Sequence, residues 1–286
     1  MGITHIRTPK NFVLEERLER YADGFETHPK TFAGAWAEAC YPLPCDAINA
    51  SARQHRNRFD RVELDLGCGK GSFIIQMAQK HPGTLFLGMD SEPLCIAYAA
   101  QYILESGLRN VLVIPRGADA LPEVFAPGEL DAITLNFSTP YPRAHDARRR
   151  LTTIDRLLVY RKVLAPSGTL MLRTDSQPLR DWTLTQLEAT GFRTLWVSDD
   201  ARADHPEFPA SEYETRLVER GARIWGVCAT PDREPSPEQL ALGRKANPSL
   251  MSYLPDDLES LDYVPLGMED AVKNAINRRR RAARRQ

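Results

Sequence analysis

The chain has 286 residues, 42% of them hydrophobic, and a formal net charge of −1, which suits one complete α/β domain with additional segments. No apolar stretch has membrane-spanning length and the N-terminus lacks the apolar core of a secretory signal, so we expect a cytoplasmic protein with no membrane partner. The five cysteines form no C-x-x-C pair, which indicates a reduced compartment and argues against a metal site.

Residues 1–60 predict a helical N-terminal arm. A charged helical pattern runs from Val13 to Tyr21, and a second helix is expected from Thr31 to Cys40. A loop containing proline and cysteine follows, and the arm has no repeat or low-complexity tract.

From residue 61 to 230 short apolar runs alternate with helical patterns. Strands are predicted at 62–66, 85–89, 111–114, 131–136, 168–173, 192–197 and 224–229. Helices are predicted at 72–80, 92–106, 119–125, 153–164 and 178–190. This alternation favours a doubly wound, mostly parallel, seven-stranded α/β sheet with ligands at the carboxyl ends of its strands. The last two strands have no convincing helix between them, which predicts an antiparallel hairpin at the sheet edge.

A glycine-rich turn follows the first strand. Gly67, Gly69 and Gly71 separate that strand from the next helix, and Asp65 precedes them. Glycines let the backbone approach a ligand closely, and a helix N-terminus favours polar or anionic groups. The spacing differs from the G-x-G-x-x-G of dinucleotide sites and resembles the first motif of the S-adenosylmethionine methyltransferases.

Further polar residues follow the next strands at the same sheet edge. Asp90, with Ser91 beside it, ends the second strand and can accept hydrogen bonds from both ribose hydroxyls. After the third strand, Ala118 and Asp119 are placed to contact an adenine amino group, and Asn136 ends the fourth strand. These residues predict an S-adenosylmethionine site. The alternative is a glycine turn that serves only helix–strand packing.

The segment from Phe137 to Arg143 predicts a stiff loop above the cofactor site, because it contains two prolines and two aromatic residues. The basic run Arg148 to Arg150 follows. Such a loop beside cations suits a flat base attached to phosphates; a solvated helix start is the less favoured alternative for the run.

These motifs together resemble the bacterial tRNA (guanine-N7)-methyltransferases. The family signature Phe-Pro-Asp-Pro-Trp-Pro-Lys stands here as Phe137–Arg143, its Thr-Asp element as Thr174-Asp175, and its Thr-x-Tyr/Phe-Glu element as Ser211–Glu214. The resemblance covers residues 61–230. It implies a Rossmann-like class I methyltransferase fold, S-adenosylmethionine as cofactor, and N7-methylguanosine formation in the variable loop of tRNA by a monomer or homodimer.

The resemblance also implies the roles of individual residues. Thr139, Asp175 and Glu214 would be catalytic. The same three residues would contact the substrate together with Tyr141, Arg143, Ser211, Glu212 and Tyr213. Thr139 stands where the family has an aspartate, and loss of that charge would cost about 1–2 kcal/mol, about ten-fold in rate. Two alternatives therefore stay open: a small-molecule methyltransferase, and a catalytically weakened RNA-binding paralogue.

Residues 231–286 differ in composition from the preceding domain. Six prolines interrupt residues 231–265, and residues 273–286 contain seven basic and no acidic residues. The rest of the chain then has 30 basic and 38 acidic residues. We expect a linker with short helices and a mobile basic tail that acts as a nucleic-acid arm; a partner-binding or solubilising segment is the alternative.

Overall fold

The computed structural model describes residues 8, 10–38 and 59–283. The N-terminal arm contains α1 (Leu14–Arg20), followed by 3₁₀ turns at Ala22–Gly24, Pro29–Phe32 and Trp36–Glu38. The helix expected over 31–40 is therefore wrong for the described part, and residues 39 and 40 lie outside it. The indole of Trp36 is fully buried and donates a hydrogen bond to the Val124 carbonyl (2.8 Å), which fixes the arm to the domain.

Seven strands form one sheet in the order β3-β2-β1-β4-β5-β7-β6. They are β1 (Arg61–Leu66), β2 (Thr84–Met89), β3 (Val111–Ile114), β4 (Leu130–Asn136), β5 (Leu164–Thr174), β6 (Phe192–Ser198) and β7 (Trp225–Pro231). The first five strands are parallel, and β7 is antiparallel to both β5 and β6. The predicted mostly parallel sheet with an antiparallel edge pair is confirmed.

Helices cover both faces of this sheet. They are α2 (Ser72–Lys80), α3 (Pro93–Ser106), α4 (Leu121–Val124), α5 (Ile154–Val163) and α6 (Gln177–Ala189). Every residue of β2 and β3 is buried as a result, which explains their uninterrupted apolar sequences. Strand order reverses between β1 and β4, so the crevice at that switch point lies directly beside the turn that follows β1.

Two short helices lie between the last two strands, where no convincing helix was expected. They are α7 (Ala201–Asp204) and α8 (Glu212–Val218). Helices of four and seven residues are too short for apolar periodicity to reveal them. Each begins at a residue whose side chain caps the helix, Asp200 for α7 and Ser211 for α8. These capping residues are the sequence signal that could have indicated the two helices.

The C-terminal extension packs on the domain. It contains α9 (Pro237–Arg244), 3₁₀ turns at Leu250–Tyr253 and Leu258–Ser260, and α10 (Glu269–Ala283). Leu250, Leu258, Met268 and Val272 are buried in the same core cluster as β1 and β4. Residues 273–283 of the predicted basic tail form a helix, and residues 284–286 lie outside the described part; the mobility of the tail and the domain division after residue 230 stay predictions. Among the described residues, no helix is long and apolar enough to cross a bilayer.

Candidate functional site

The glycine turn between β1 and α2 adopts a conformation that requires glycine. Gly67, Gly69 and Gly71 all have positive φ, at 81°, 56° and 76°. The N–H groups of Gly67 and Cys68 donate to the Met89 carbonyl (2.7 and 3.1 Å), which ties the turn to β2. A Cβ added at Gly69 would meet nothing within 4 Å, so the middle of the turn borders open space that a ligand can enter.

Asp90 closes the same turn from the end of β2. Its carboxylate accepts hydrogen bonds from the backbone N–H of Gly69 (2.9 Å) and of Glu92 (2.8 Å). Burial raises the pKa of Asp90, and these hydrogen bonds oppose that shift. An added Cβ on Gly117 would lie 3.7 Å from the Ser91 Cβ, so the ends of β2 and β3 are adjacent as the sequence predicts.

The two predicted residues after β3 have different surroundings. Ala118 is buried within a 3₁₀ turn, Ala118–Ala120. The Asp119 side chain is 89% exposed and forms an ion pair with Arg156 of α5 (2.7 Å). That hydrogen bond lowers the pKa of Asp119. Asp119 therefore lies at the rim and must exchange or share its arginine partner to contact a bound base.

Asp65 and Asn136 meet across β1 and β4. The Asn136 amide donates a hydrogen bond to the Asp65 carboxylate (3.2 Å), and burial raises the pKa of Asp65 to about 7. The Asn136 Oδ1 is buried and has no partner among the described residues. A buried acceptor and a desolvated carboxylate at the mouth of the crevice suit a cationic ligand group that donates hydrogen bonds.

The loop after β4 is held in a strained shape. Phe137 and Tyr141 have positive φ, at 53° and 44°, which non-glycine residues seldom adopt. Arg150 holds the loop, because its guanidinium donates to the carbonyls of Pro140 (2.9 Å) and Tyr141 (2.7 Å). Thr139 is exposed at the tip. The loop is therefore fixed with its tip facing outward.

The three arginines of the basic run after this loop differ in their exposure to solvent. Arg150 is buried, so the expectation that the whole run contacts a nucleic acid is wrong for this residue. Arg148 and Arg149 are exposed. The Arg149 guanidinium lies 4.3 Å from the centroid of the Tyr141 ring, and it orients an aromatic face that was predicted to contact substrate.

Asp175 lies at the end of β5 and is contacted by the C-terminal extension. Its Oδ2 accepts hydrogen bonds from the Tyr263 hydroxyl (2.7 Å) and the Leu266 N–H (2.8 Å). Burial raises the pKa of Asp175, and both donors oppose this shift. The predicted catalytic carboxylate is thus oriented by residues about 90 positions later in the chain.

Glu214 lies buried between α8 and β5. Its carboxylate is fully buried and pairs with Arg173 of β5 (2.8 Å). Burial raises the pKa of Glu214 and lowers that of Arg173, while the attraction between them opposes both shifts. In this geometry Glu214 positions α8 against β5, while its buried Oε2 has no partner among the described residues; its role as a catalytic or substrate contact stays a prediction.

The remaining predicted residues on α8 have separate roles. The Ser211 hydroxyl caps the helix by accepting from the Glu214 N–H (3.1 Å), and the exposed Glu212 pairs with Arg216 on the surface. The Tyr213 ring contacts the Phe137 ring edge-on, with centroids 5.6 Å apart. Tyr213 is therefore the residue of this helix that joins the loop after β4.

Comparisons with known proteins agree with this geometry. The model of the family described as "Putative methyltransferase" matches residues 60–227. A tRNA (guanine-N(7)-)-methyltransferase of Lactococcus lactis subsp. cremoris (strain SK11) is 31% identical over 216 residues, covering 73% of this chain and 91% of the relative. This chain belongs to the tRNA (guanine-N7)-methyltransferase family. A relative from Geobacillus kaustophilus (strain HTA426) is 36% identical over 165 residues, covering 57% of this chain and 76% of the relative.

A solved structure supports the same architecture. The 16S rRNA methyltransferase KamB superposes with a TM-score of 0.50 at 17% identity, over 65% of this chain and 94% of that chain. At this identity the likeness concerns the fold alone, the α/β sheet of a class I methyltransferase.

This member of the tRNA (guanine-N7)-methyltransferase family places further residues at the site, and the sequence analysis missed them. The family match ends at residue 227, whereas Tyr263 and Leu266 contact Asp175, and the Pro248 carbonyl accepts from Arg150 (2.7 Å). The Leu250 N–H donates to the Pro142 carbonyl (3.0 Å). The available signal was the apolar pair Met268 and Val272 at helical spacing, which indicates a packed helix.

Proposed function

We propose that this protein transfers a methyl group from S-adenosylmethionine to N7 of a guanine in tRNA, most simply in its variable loop. The observation that supports this most is the strained loop from Phe137 to Arg143. It lies at the carboxyl end of β4, next to the Asp65–Asn136 pair, and corresponds to the signature of the family. The printed names of the 36% and 31% identical relatives support the same reaction.

The cofactor-binding residues fit S-adenosylmethionine. Open space beside Gly69 admits the methionine moiety, and the buried Asp65 with the unpartnered Asn136 Oδ1 can accept hydrogen bonds from its ammonium group. Asp90 lies where it can accept a hydrogen bond from a ribose hydroxyl while it holds the turn. When bound, this cofactor supplies a methyl group on a positively charged sulfur.

The guanine-binding residues require little acid–base chemistry. Guanine N7 has a free lone pair, so catalysis consists mainly of alignment and of stabilising the positive charge that develops on the purine. Both hydrogen bonds from the extension go to Asp175 Oδ2, which leaves Oδ1 for the N1–H and 2-amino groups of guanine. Tyr141, oriented by Arg149, offers a face for stacking, and Arg143 offers a charge for a phosphate.

A second candidate is a catalytically weakened paralogue that binds RNA. It is favoured by Thr139, which cannot supply the negative charge that the family places at this position. Because the cofactor-binding residues are complete, such a paralogue would still bind S-adenosylmethionine. Substrate turnover and cofactor affinity therefore have to be measured separately.

The deciding experiment incubates purified protein with labelled S-adenosylmethionine and unmodified tRNA. We expect label in N7-methylguanosine after digestion of the tRNA to nucleosides. Cofactor binding without any N7-methylguanosine would contradict the proposal and favour the paralogue. Label in another nucleoside, or in a small molecule only, would redirect the assignment to another substrate class. We also propose a cytoplasmic location, in keeping with a tRNA substrate.

A further inference from the structure

A basic groove runs between the substrate loop and the C-terminal helix. It encloses about 520 Å³ and lies between the start of the 3₁₀ turn Ala144–Arg149, residues 249–251 and α10. Its polar lining consists mainly of Arg143, His145, Asn274, Asn277, Arg278 and Arg281. Among the residues that the structure describes, no carboxylate lines it. The groove is therefore a cationic surface continuous with the loop that the proposed function assigns to guanine.

The arginines of α10 divide between two faces of the helix. Asn274, Asn277, Arg278 and Arg281 follow the i, i+3, i+4, i+7 spacing of a single face, and that face lines the groove. The two intervening arginines face the extension itself. Arg279 hydrogen-bonds the Asp256 carbonyl, and Arg280 forms a two-point ion pair with Glu259 (2.9 and 3.0 Å).

The groove-facing arginines are available for an external anion. Within the described part of the chain, Arg143, Arg278 and Arg281 have no acidic partner, and all three are exposed. The nearest acidic side chain on the loop is Asp146, which is already paired with His145 (3.2 Å) and Arg149 (3.7 Å). Three unneutralised guanidinium groups thus converge on one open surface of an otherwise acidic protein.

We infer that the basic groove binds the phosphate backbone of the RNA substrate, and this inference rests on the proposed function. From residue 274 to 281, seven residue steps of α10 span about 10 Å at about 1.5 Å per step. That length is enough for this face to contact more than one phosphate of a strand. Guanidinium groups and amides are the side chains that recognise phosphate oxygens. The groove would hold the strand that presents the target guanine to Asp175.

The test compares two double variants that each remove two positive charges from α10. R278Q/R281Q changes the groove face, and R279Q/R280Q changes the opposite face. We expect the groove variant to weaken tRNA binding at least ten-fold near 0.1 M salt. It should also reduce the slope of log affinity against log salt by about 1.5–2, as expected when two phosphate contacts are lost. The control variant should change affinity less than three-fold and leave the slope unchanged.

Three results would overturn the inference. Equal weakening by both variants would show that only overall charge matters, and unchanged binding by the groove variant would show that RNA does not occupy the groove. If R278Q/R281Q loses binding to anionic phospholipid vesicles but keeps its tRNA binding, the groove is a membrane-binding surface. Methylation by the unaltered protein separates the two proposals. If the groove binds tRNA in a salt-sensitive way but no N7-methylguanosine forms, the proposed reaction alone is disproved. If N7-methylguanosine forms and the two double variants bind tRNA equally well, the groove proposal is disproved.

Discussion

In the proposed S-adenosylmethionine site, the buried carboxylate of Asp65 would make cofactor binding depend on pH. Burial raises its pKa from the usual 3.8 to about 7, so in the free protein Asp65 is largely protonated below pH 7. A cationic ligand needs the ionised form, and binding must therefore release a proton. We expect the affinity for S-adenosylmethionine to rise with pH, up to about ten-fold per pH unit below pH 7, and to level off above it. Calorimetric titrations between pH 5.5 and 8 measure this slope.

Stability should follow the opposite trend. An acid whose folded pKa is raised stabilises the fold below its unfolded pKa and loses that contribution as the pH rises through about 7. The Tm of the free protein should thus fall between pH 5 and 8, and cofactor should oppose the fall. D65N is the matched variant: its cofactor affinity should be weak and lack the step near pH 7. A step of unchanged size in D65N would assign the titration to another group.

Thr139 stands where the family resemblance implies an aspartate. It is exposed at the tip of the loop after β4, where a carboxylate could stabilise the charge that develops on guanine without a burial cost. We expect T139D to increase kcat/KM for tRNA about ten-fold, corresponding to about 1–2 kcal/mol for a charge-assisted interaction. Steady-state methylation kinetics measure the change.

Ser138 provides the control for that variant. S138D adds the same charge one position away in the same loop, and we expect no comparable gain. If S138D and T139D raise the rate equally, the gain reflects general electrostatics and the position of the aspartate is unimportant. If T139D lowers the rate, the chain has adapted to a neutral side chain at this position.

Among the elements, the strap from Tyr263 to Met268 is the most unexpected. It lies outside the region matched by the family and supplies two donors to Asp175. Burial raises the pKa of Tyr263, so its hydroxyl remains protonated and donates at neutral pH. The strap therefore stabilises the charged form of Asp175 against the burial that raises the pKa of this acid.

Removal of this donor should shift the pH dependence of the reaction. Without the Tyr263 hydroxyl the pKa of Asp175 rises further, so we expect the acid limb of the kcat profile to move to higher pH in Y263F. Leu266 keeps its hydrogen bond to Asp175 in this variant, so part of the stabilisation of the charged form remains. Y253F is the matched control, because among the described residues the Tyr253 hydroxyl has no hydrogen-bond partner. An unmoved acid limb in Y263F would show that the strap does not act through Asp175.

The elements also show which features could be predicted from sequence. The strands and the glycine turn follow from local patterns, because apolar runs and positive-φ glycines act within a few residues. The strap and the buried Arg150 could not be found this way. Arg150 belongs to a charge run that suggests solvent, but three carbonyls from two separate segments accept its hydrogen bonds. Glu214 was identified by its motif, but only its pairing with Arg173 revealed its positioning role.

At the scale of the whole molecule, the extension and the α/β domain share one core. Met268 is fully buried in the same core cluster as side chains of β1 and β4, and its sulfur accepts a hydrogen bond from Ser176 (3.3 Å) at the start of α6. These contacts cross the predicted boundary at residue 230. Unfolding of the extension would therefore expose apolar side chains of the domain core to water. The two segments should therefore unfold in one cooperative transition.

Substitution of Met268 tests this cooperativity. We expect M268A to lower the free energy of unfolding by about 2–5 kcal/mol, the usual cost of removing a buried methionine side chain, and to shift the single main transition. Leu242 of α9 is 72% exposed and gives the matched control: L242A should change stability by less than about 0.5 kcal/mol. Urea unfolding followed by both tryptophan fluorescence and circular dichroism measures both variants. If the unfolding curve shows a separate early transition, and M268A shifts only that transition, the extension folds independently of the domain. The strap on Asp175 could then detach while the sheet stays intact.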